Sequence, residues 1–409
     1  MPHLSAELSE SSTVPSRLGW LADERRFWTI TTVILGLFAV CKGLRQPSTW
    51  ALTQAQIDYS HGLIKRGLLG SVYGAFGIHH VVPLGVASFL ELAVFFVALA
   101  LFAVRSGLGR RFGSPAVLAV FASSYAVTYL THLVGYTDLL DGTLAVCLLL
   151  VSSATRRFWL GLVVVPVAML VHENFLLLFL PPVLFSFYLD AVTAGPGLLR
   201  RRCFVAGGVL AAIALGFALM LSLRPNLPPE TVDQFQEEIA ARVNFPVNDQ
   251  VMDTLTKSLA ANVHGVLVVM KQEQWWSKFL SSICNLLPLF LLGMHWVRRA
   301  VEEIEQQYGL AVRRGFFWAA AVLSSVAPLA IYALGWDCAR WNTSCVLATF
   351  LTLGLLSRRL PGRVFALAAW ERHAIILLLA VNMASGFGFF DMFQIHPYPF
   401  FPGLMPPGP

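Results

Sequence analysis

The sequence predicts an all-α fold: a polytopic transmembrane helical bundle of about 11 helices, with a cytoplasmic N-terminus and an extracytoplasmic cavity bordered by juxtamembrane helices. Three observations predict it. Hydrophobic residues make up 56% of the 409 positions and charged residues 13%, far from the balance of a soluble domain. Apolar runs near membrane-crossing length recur along the whole chain. Arginine clusters fall in every second connection, the pattern of loops that face the cytoplasm.

Taken in order, the polar opening 1–26 carries Arg17, Arg25 and Arg26 and runs into the first apolar segment without a small-residue cleavage site. That segment is therefore expected to stay as an anchor, not to leave as a signal peptide. Apolar segments follow at about 27–44, 81–104, 115–134, 139–154, 158–171, 174–190, 203–223, 278–297, 315–335, 343–357 and 373–390. Several, notably 158–171, are short for a full crossing, which predicts helices that break or end in a polar cavity. The whole of 27–391 reads as one transmembrane domain. Within it, 224–277 is an extracytoplasmic loop with a Pro-rich entry, a short amphipathic helix in "PPETVDQFQEEIAARVNF", and an interfacial belt at Trp275 and Trp276. The tail 392–409, "HPYPFFPGLMPPGP" at its end, is too rich in proline for a helix and is expected to pack on the outer surface. No internal repeat is evident, which weakens an inverted-repeat transporter.

The net charge of +6 reports topology and not a nucleic-acid partner, because the basic residues sit between apolar stretches: Arg105, Arg110 and Arg111, then Arg156 and Arg157, then Arg200 to Arg202, then Arg298, Arg299, Arg313 and Arg314, then Arg358 and Arg359. Cys41, Cys147, Cys203 and Cys284 read as small residues of apolar runs, and only Cys338 and Cys345 are candidates to pair.

This topology sets the unusual polar residues at one membrane surface. The first outside loop, "QIDYSHGLIKRGLLG", holds Asp58, Tyr59, His61, Lys65 and Arg66. The second holds Tyr136, Asp138 and Asp141, the third His172 and Glu173, and the fifth Asp337, Arg340 and Trp341. Ionisable groups at the membrane are costly unless paired or wet, so their convergence is a site hypothesis. Structural readings stand beside it: Asp58 as N-cap of a helix running to about Tyr73, Asp141 as a helix cap before a turn at Gly142, Lys65 and Arg66 as headgroup anchors, and Arg340, between Asp337 and Trp341, as a salt bridge holding two helix ends. No HExxH, GxSxG, phosphate-binding loop or CxxC motif is present, which removes zinc-protease, serine-hydrolase, ATPase and thiol-redox chemistries. Carboxylates beside lysine and arginine suit abstraction of a hydroxyl proton together with stabilisation of a departing phosphate.

In helix number, in Asp58 after the first helix and in "GLIKRGLLGSVYG" as a juxtamembrane segment, the chain resembles the GT-C superfamily of membrane glycosyltransferases and the related bacterial polysaccharide polymerases. The resemblance implies a multi-pass protein of a bacterial inner membrane that takes a polyprenyl-phosphate-linked sugar and a glycan acceptor. Asp58 is then the base, with Lys65, Arg66 and Arg340 on the phosphate, and His172 and Glu173 bind the phosphate, orient the sugar or hold an optional divalent cation. Tyr59, His61, Asp138, Asp337 and Trp341 complete the substrate-binding set. The paired acidic motif usual in the family does not stand at Asp58, and no large soluble C-terminal domain is expected, which suits transfer of a single sugar. Two alternatives stay open: a polymerase of polyprenyl-diphosphate-linked repeats, and a transporter or flippase with Asp138, His172 and Glu173 as a proton relay.

Overall fold

The computed structural model describes residues 24–111, 115–223, 227–257, 259–309, 314–360 and 367–384, and the segments 1–23 and 392–409 lie outside the described residues. Those described residues form helices and connecting turns, with no strand. The described residues of the apolar segments fall mostly on helix. The first half of the chain gives α1 (Glu24–Gly43), α2 (Thr49–Gln54), α3 (Gly67–Ala75), α4 (Val81–Ser106), α5 (Leu108–Arg111), α6 (Ala116–Ala122), α7 (Tyr125–His132), α8 (Thr137–Leu150), α9 (Ala154–Val171) and α10 (Phe175–Leu178). The second half gives α11 (Leu180–Thr193), α12 (Leu198–Leu223), α13 (Pro229–Arg242), α14 (Asp249–Thr256), α15 (Leu259–Val269), α16 (Glu273–Tyr308), α17 (Arg314–Val326) with a 3-10 continuation (Ala327–Ala333), α18 (Cys338–Ser357) and α19 (Ala369–Ala384). Among the described residues six spans are long and apolar enough to cross a membrane, and seven if α7 and α8, bent by 119° at their junction, count as one. The chain is a multi-pass membrane protein.

The central post is α18, all of whose residues are buried against α16, α17, α7, α11 and α4. It tolerates Asn342, Thr343, Ser344, Thr349 and Thr352 because its neighbours, not lipid, surround it. Asn342 Nδ2 donates to Ser282 Oγ at 2.8 Å, and the Ser324 and Thr352 hydroxyls lie 2.7 Å apart. In a bilayer such bonds contribute only about 0.6 kcal/mol each, so close packing carries the rest. Gly43 shows how close: a Cβ there would lie 2.0 Å from the Thr128 carbonyl oxygen, so α1 and α7 meet backbone to backbone.

One end of the bundle is rich in arginine. There Arg157 and Arg359 share Asp190, Arg299 forks onto Glu371, and Ser357 donates to the Ser106 carbonyl at 3.0 Å. At the opposite end the 227–257 segment folds down as a second layer. Its helix α13 buries Val232, Phe235 and Ile239, spaced at helical intervals, against Ile57 and against Val251, Met252 and Leu255 of α14.

Several expectations are corrected. Asp58 caps no helix: α3 begins only at Gly67, with Arg66 at its N-cap. Asp141 is no cap either, because α8 starts at Thr137 behind Tyr136 and carries Asp141 in its interior; Gly142 is a packing residue whose Cβ would meet Phe95 at 2.6 Å. Cys338 and Cys345 are free thiols on one helix. Trp275 is buried and donates to the Trp336 carbonyl at 3.0 Å, leaving Trp276 alone as an exposed belt residue. Helices α14 and α15, in the loop where one helix was expected, were not foreseen.

Candidate functional site

The turn before α3 is built by glycine. A Cβ on Gly70 would sit 2.1 Å from the Ile57 carbonyl oxygen, and one on Gly67 would sit 2.4 Å from the Tyr59 ring. Two bare helix positions three apart therefore let α3 lie on the extended stretch 57–58. To enter that helix, Arg66 adopts φ 62°, the one positive φ among described non-glycine residues, a conformation that costs on the order of 1 kcal/mol. The turn aims the guanidinium at α9. Arg66 Nη2 donates to Glu173 Oε1 at 2.7 Å and Nε to Oε2 at 3.3 Å.

Glu173 is available because α9 stops. Its C-cap His172 is extended (φ −160°), and the helix resumes only at Phe175. The His172 ring is buried, its Nδ1 accepting the Asn174 N–H at 3.0 Å and lying 3.6 Å from Glu173 Oε2. Burial and the nearby Arg66 charge push the imidazole down to about 3, so it is neutral at ordinary pH. Burial raises the Glu173 pKa, but Arg66 and His172 outweigh it and hold the carboxyl well below the usual range.

A second pair lies within electrostatic reach of this one. Arg340, in the first turn of α18, is ion-paired with Asp138, in the first turn of α8, and its guanidinium also faces the rings of Tyr136 (5.5 Å) and Trp341 (4.9 Å). Asp337 caps α18, accepting the Arg340 backbone N–H at 3.3 Å, and receives the Tyr129 hydroxyl at 3.1 Å. The Arg340 salt bridge thus holds two helix ends together, with Asp138 as its partner. The charges of Asp138 and Arg340 act on His172, and those of Asp138, Glu173 and Arg340 act on Asp141. Helix ends far apart in sequence therefore place Arg66, Asp138, His172, Glu173, Asp337, Arg340 and Trp341 in one cluster.

The other candidates stand apart from it. Asp58 is paired with Arg242 of α13 at 2.8 Å and accepts from the Ser60 N–H (3.0 Å) and hydroxyl (2.5 Å). Partial burial raises its pKa, and the Ser60 and Arg242 contacts more than offset that, leaving it lowered. His61 Nε2 lies 2.9 Å from Glu238 Oε2 and its ring meets that of Phe235 at a tilt, with centroids 4.8 Å apart. Tyr59 packs on Gly67 with a buried hydroxyl that has no hydrogen-bond partner among the described residues. Asp58 and His61 fasten α13 over the first loop, while Tyr59 seats α3. Lys65 is half-buried and makes no ion pair among the described residues.

Two charged residues that the sequence did not single out, Arg45 and Glu91, belong to this end together with Asp141. Arg45 donates to the His132 carbonyl at 2.8 Å and lies near Tyr129, Tyr136 and Asp337. Asp141 is wholly buried, with no hydrogen bond to either oxygen among the described residues. Glu91, inside the apolar run of α4, accepts the Tyr73 hydroxyl at 2.5 Å and so ties α3 to α4. A lone carboxylate within a membrane-length run was a readable signal for Glu91. For Arg45 the sequence carried none beyond a basic residue at a helix end.

No group of three His, Cys, Asp or Glu among the described residues is arranged to hold a metal ion. Comparison of the chain with protein-family models, with curated proteins and with solved structures gave no match.

Proposed function

We propose that this chain is a membrane glycosyltransferase of GT-C-like design, crossing a bacterial inner membrane about eleven times with its N-terminus in the cytoplasm and working at the extracytoplasmic face. The observation that supports the reading is the interlacing, at one end of the bundle, of Arg66, Arg340 and Arg45 with Asp138, Glu173 and Asp337. A prenyl-phosphate sugar needs both kinds of group: cations to take up the charge of the departing phosphate, and a carboxylate to accept the proton of the attacking hydroxyl. Arg66 and Arg340 would exchange part of their bonding from Glu173 and Asp138 to the phosphate. That exchange would release a carboxylate for the acceptor. Asp58, held by Arg242 and Ser60 and with its pKa lowered, is the weaker base in this arrangement, and its contribution would be to hold α13 over the site. The same groups would serve a polymerase of diphosphate-linked repeats.

A second reading is favoured by one observation. The buried carboxylate of Asp141, without a hydrogen-bond partner among the described residues, is what a proton-coupled transporter or flippase places in its path.

Mass spectrometry of polyprenyl-linked and surface glycans from a deletion strain separates these. The expected result is loss of one defined sugar, restored by the wild type and by Asp58→Asn in part, and not by Glu173→Gln. Unpolymerised single repeats would select the polymerase. Unchanged glycans in the deletion strain would refute both enzyme readings.

A further inference from the structure

At the arginine-rich end, away from the cluster above, a groove of about 400 Å³ runs between α9 and α12, its walls including Phe158, Trp159 and Val205 and its rim Thr155, Arg201 and Arg202. We infer that this groove is a binding site for an anionic phospholipid, with the acyl chains along the apolar walls and the headgroup phosphate at Arg201 and Arg202.

Charge complementarity argues it first. The carboxylates of this end are already taken: Asp190 is shared by Arg157 and Arg359, and Glu371 is held by Arg299. No acidic residue lines the groove, and Arg201 and Arg202 are both exposed with no acidic partner among the described residues. Both line the groove, and two unneutralised guanidinium groups at one rim favour an anionic phosphate there. The walls argue the rest. Trp159 is 64% exposed and Val205 57% exposed, on two helices long and apolar enough to cross the bilayer. The groove therefore opens where lipid tails lie, and the rim sits at headgroup depth, the arrangement of a basic inter-helix pocket for anionic headgroups. A soluble phosphate would find the arginines but leave the apolar walls empty.

The full-length protein, delipidated in detergent, is mixed with phosphatidylglycerol or phosphatidylcholine, and retained lipid is counted by native mass spectrometry. At a factor of about five for each arginine near a membrane surface, wild type is expected to retain the anionic lipid roughly 30-fold better. Arg201→Ala with Arg202→Ala should bring the ratio to near one. Thr155→Glu, which adds a negative charge to the rim without removing any side chain bond, should lower it by itself. Equal retention of both lipids by wild type, an unchanged ratio in both variants, or equally strong binding of glycerol phosphate would each overturn the assignment.

Discussion

The Arg66 guanidinium grips Glu173 by two hydrogen bonds, 2.7 and 3.3 Å long, across 107 residues of chain, and does so from a left-handed backbone conformation. The pair joins the first loop to the break after α9, and the backbone strain at Arg66 is part of how it is aimed.

The two contributions are separable by substitution. Arg66→Ala loses the partly exposed pair, roughly 1 kcal/mol, and keeps the unfavourable φ. Arg66→Gly loses the same pair but relieves about 1 kcal/mol of backbone strain. Thermal melts in detergent should therefore place the glycine variant close to wild type and the alanine variant below it. Equal melting of the two would show that the φ carries no strain.

Asp138 and Asp141 are one helical turn apart and should respond in opposite ways. Asp138→Asn leaves Arg340 buried without its main counter-charge and is expected to cost about 3–5 kcal/mol. Asp141→Asn removes a buried carboxylate that accepts no hydrogen bond among the described residues, so stability should stay level or rise. Chemical denaturation of the two variants checks this, and a large loss in Asp141→Asn would reveal a partner for that carboxylate.

The attachment of α13 should weaken in acid. The folded pKa of Asp58 is lowered below its ordinary value of 3.8, so the folded state binds the proton less readily than the unfolded one. The stabilisation is then complete above about pH 4 and is lost as pH falls through the lower folded value. Protection of the α13 amides, corrected for the intrinsic exchange rate at each pH, should fall over that window in wild type and change less in Asp58→Asn, while protection in α18 should not follow it.

His172 acts with the opposite dependence on charge. Its folded pKa lies near 3 against 6.5 for the free side chain, so the unfolded state takes up the proton first. Stability should fall as pH drops below about 6.5 and go on falling towards 3. The His172→Asn variant should lose that slope. Any activity limb near pH 6.5 would have to come from another group.

Gly70 fixes the seat of α3. A methyl group there meets the backbone of Ile57 at 2.1 Å, and backbone cannot rotate aside. Gly70→Ala should displace α3 and lower the yield of folded protein, whereas Gly85→Ala, with open space around its Cβ, should be silent. Gel filtration of the two variants in detergent makes the comparison.

The sequence by itself determined the helical bundle and the membrane setting. Runs of apolar residues and their interruptions are local features, so the break at His172–Glu173, the amphipathic face of α13 and the polar start of α18 could all be read along the chain. Tertiary structure decided which charges meet. Nothing near Arg66 in sequence points to Glu173, nothing near Arg340 points to Asp138 over its neighbour Asp337, and nothing near Asp58 points to Arg242. Those choices depend on close backbone contacts at Gly43, Gly67 and Gly70 and on where the 227–257 layer comes to rest. The reason is physical: hydrophobicity sorts segments one at a time, while an ion pair needs the position of two segments at once, and only the packed bundle supplies it.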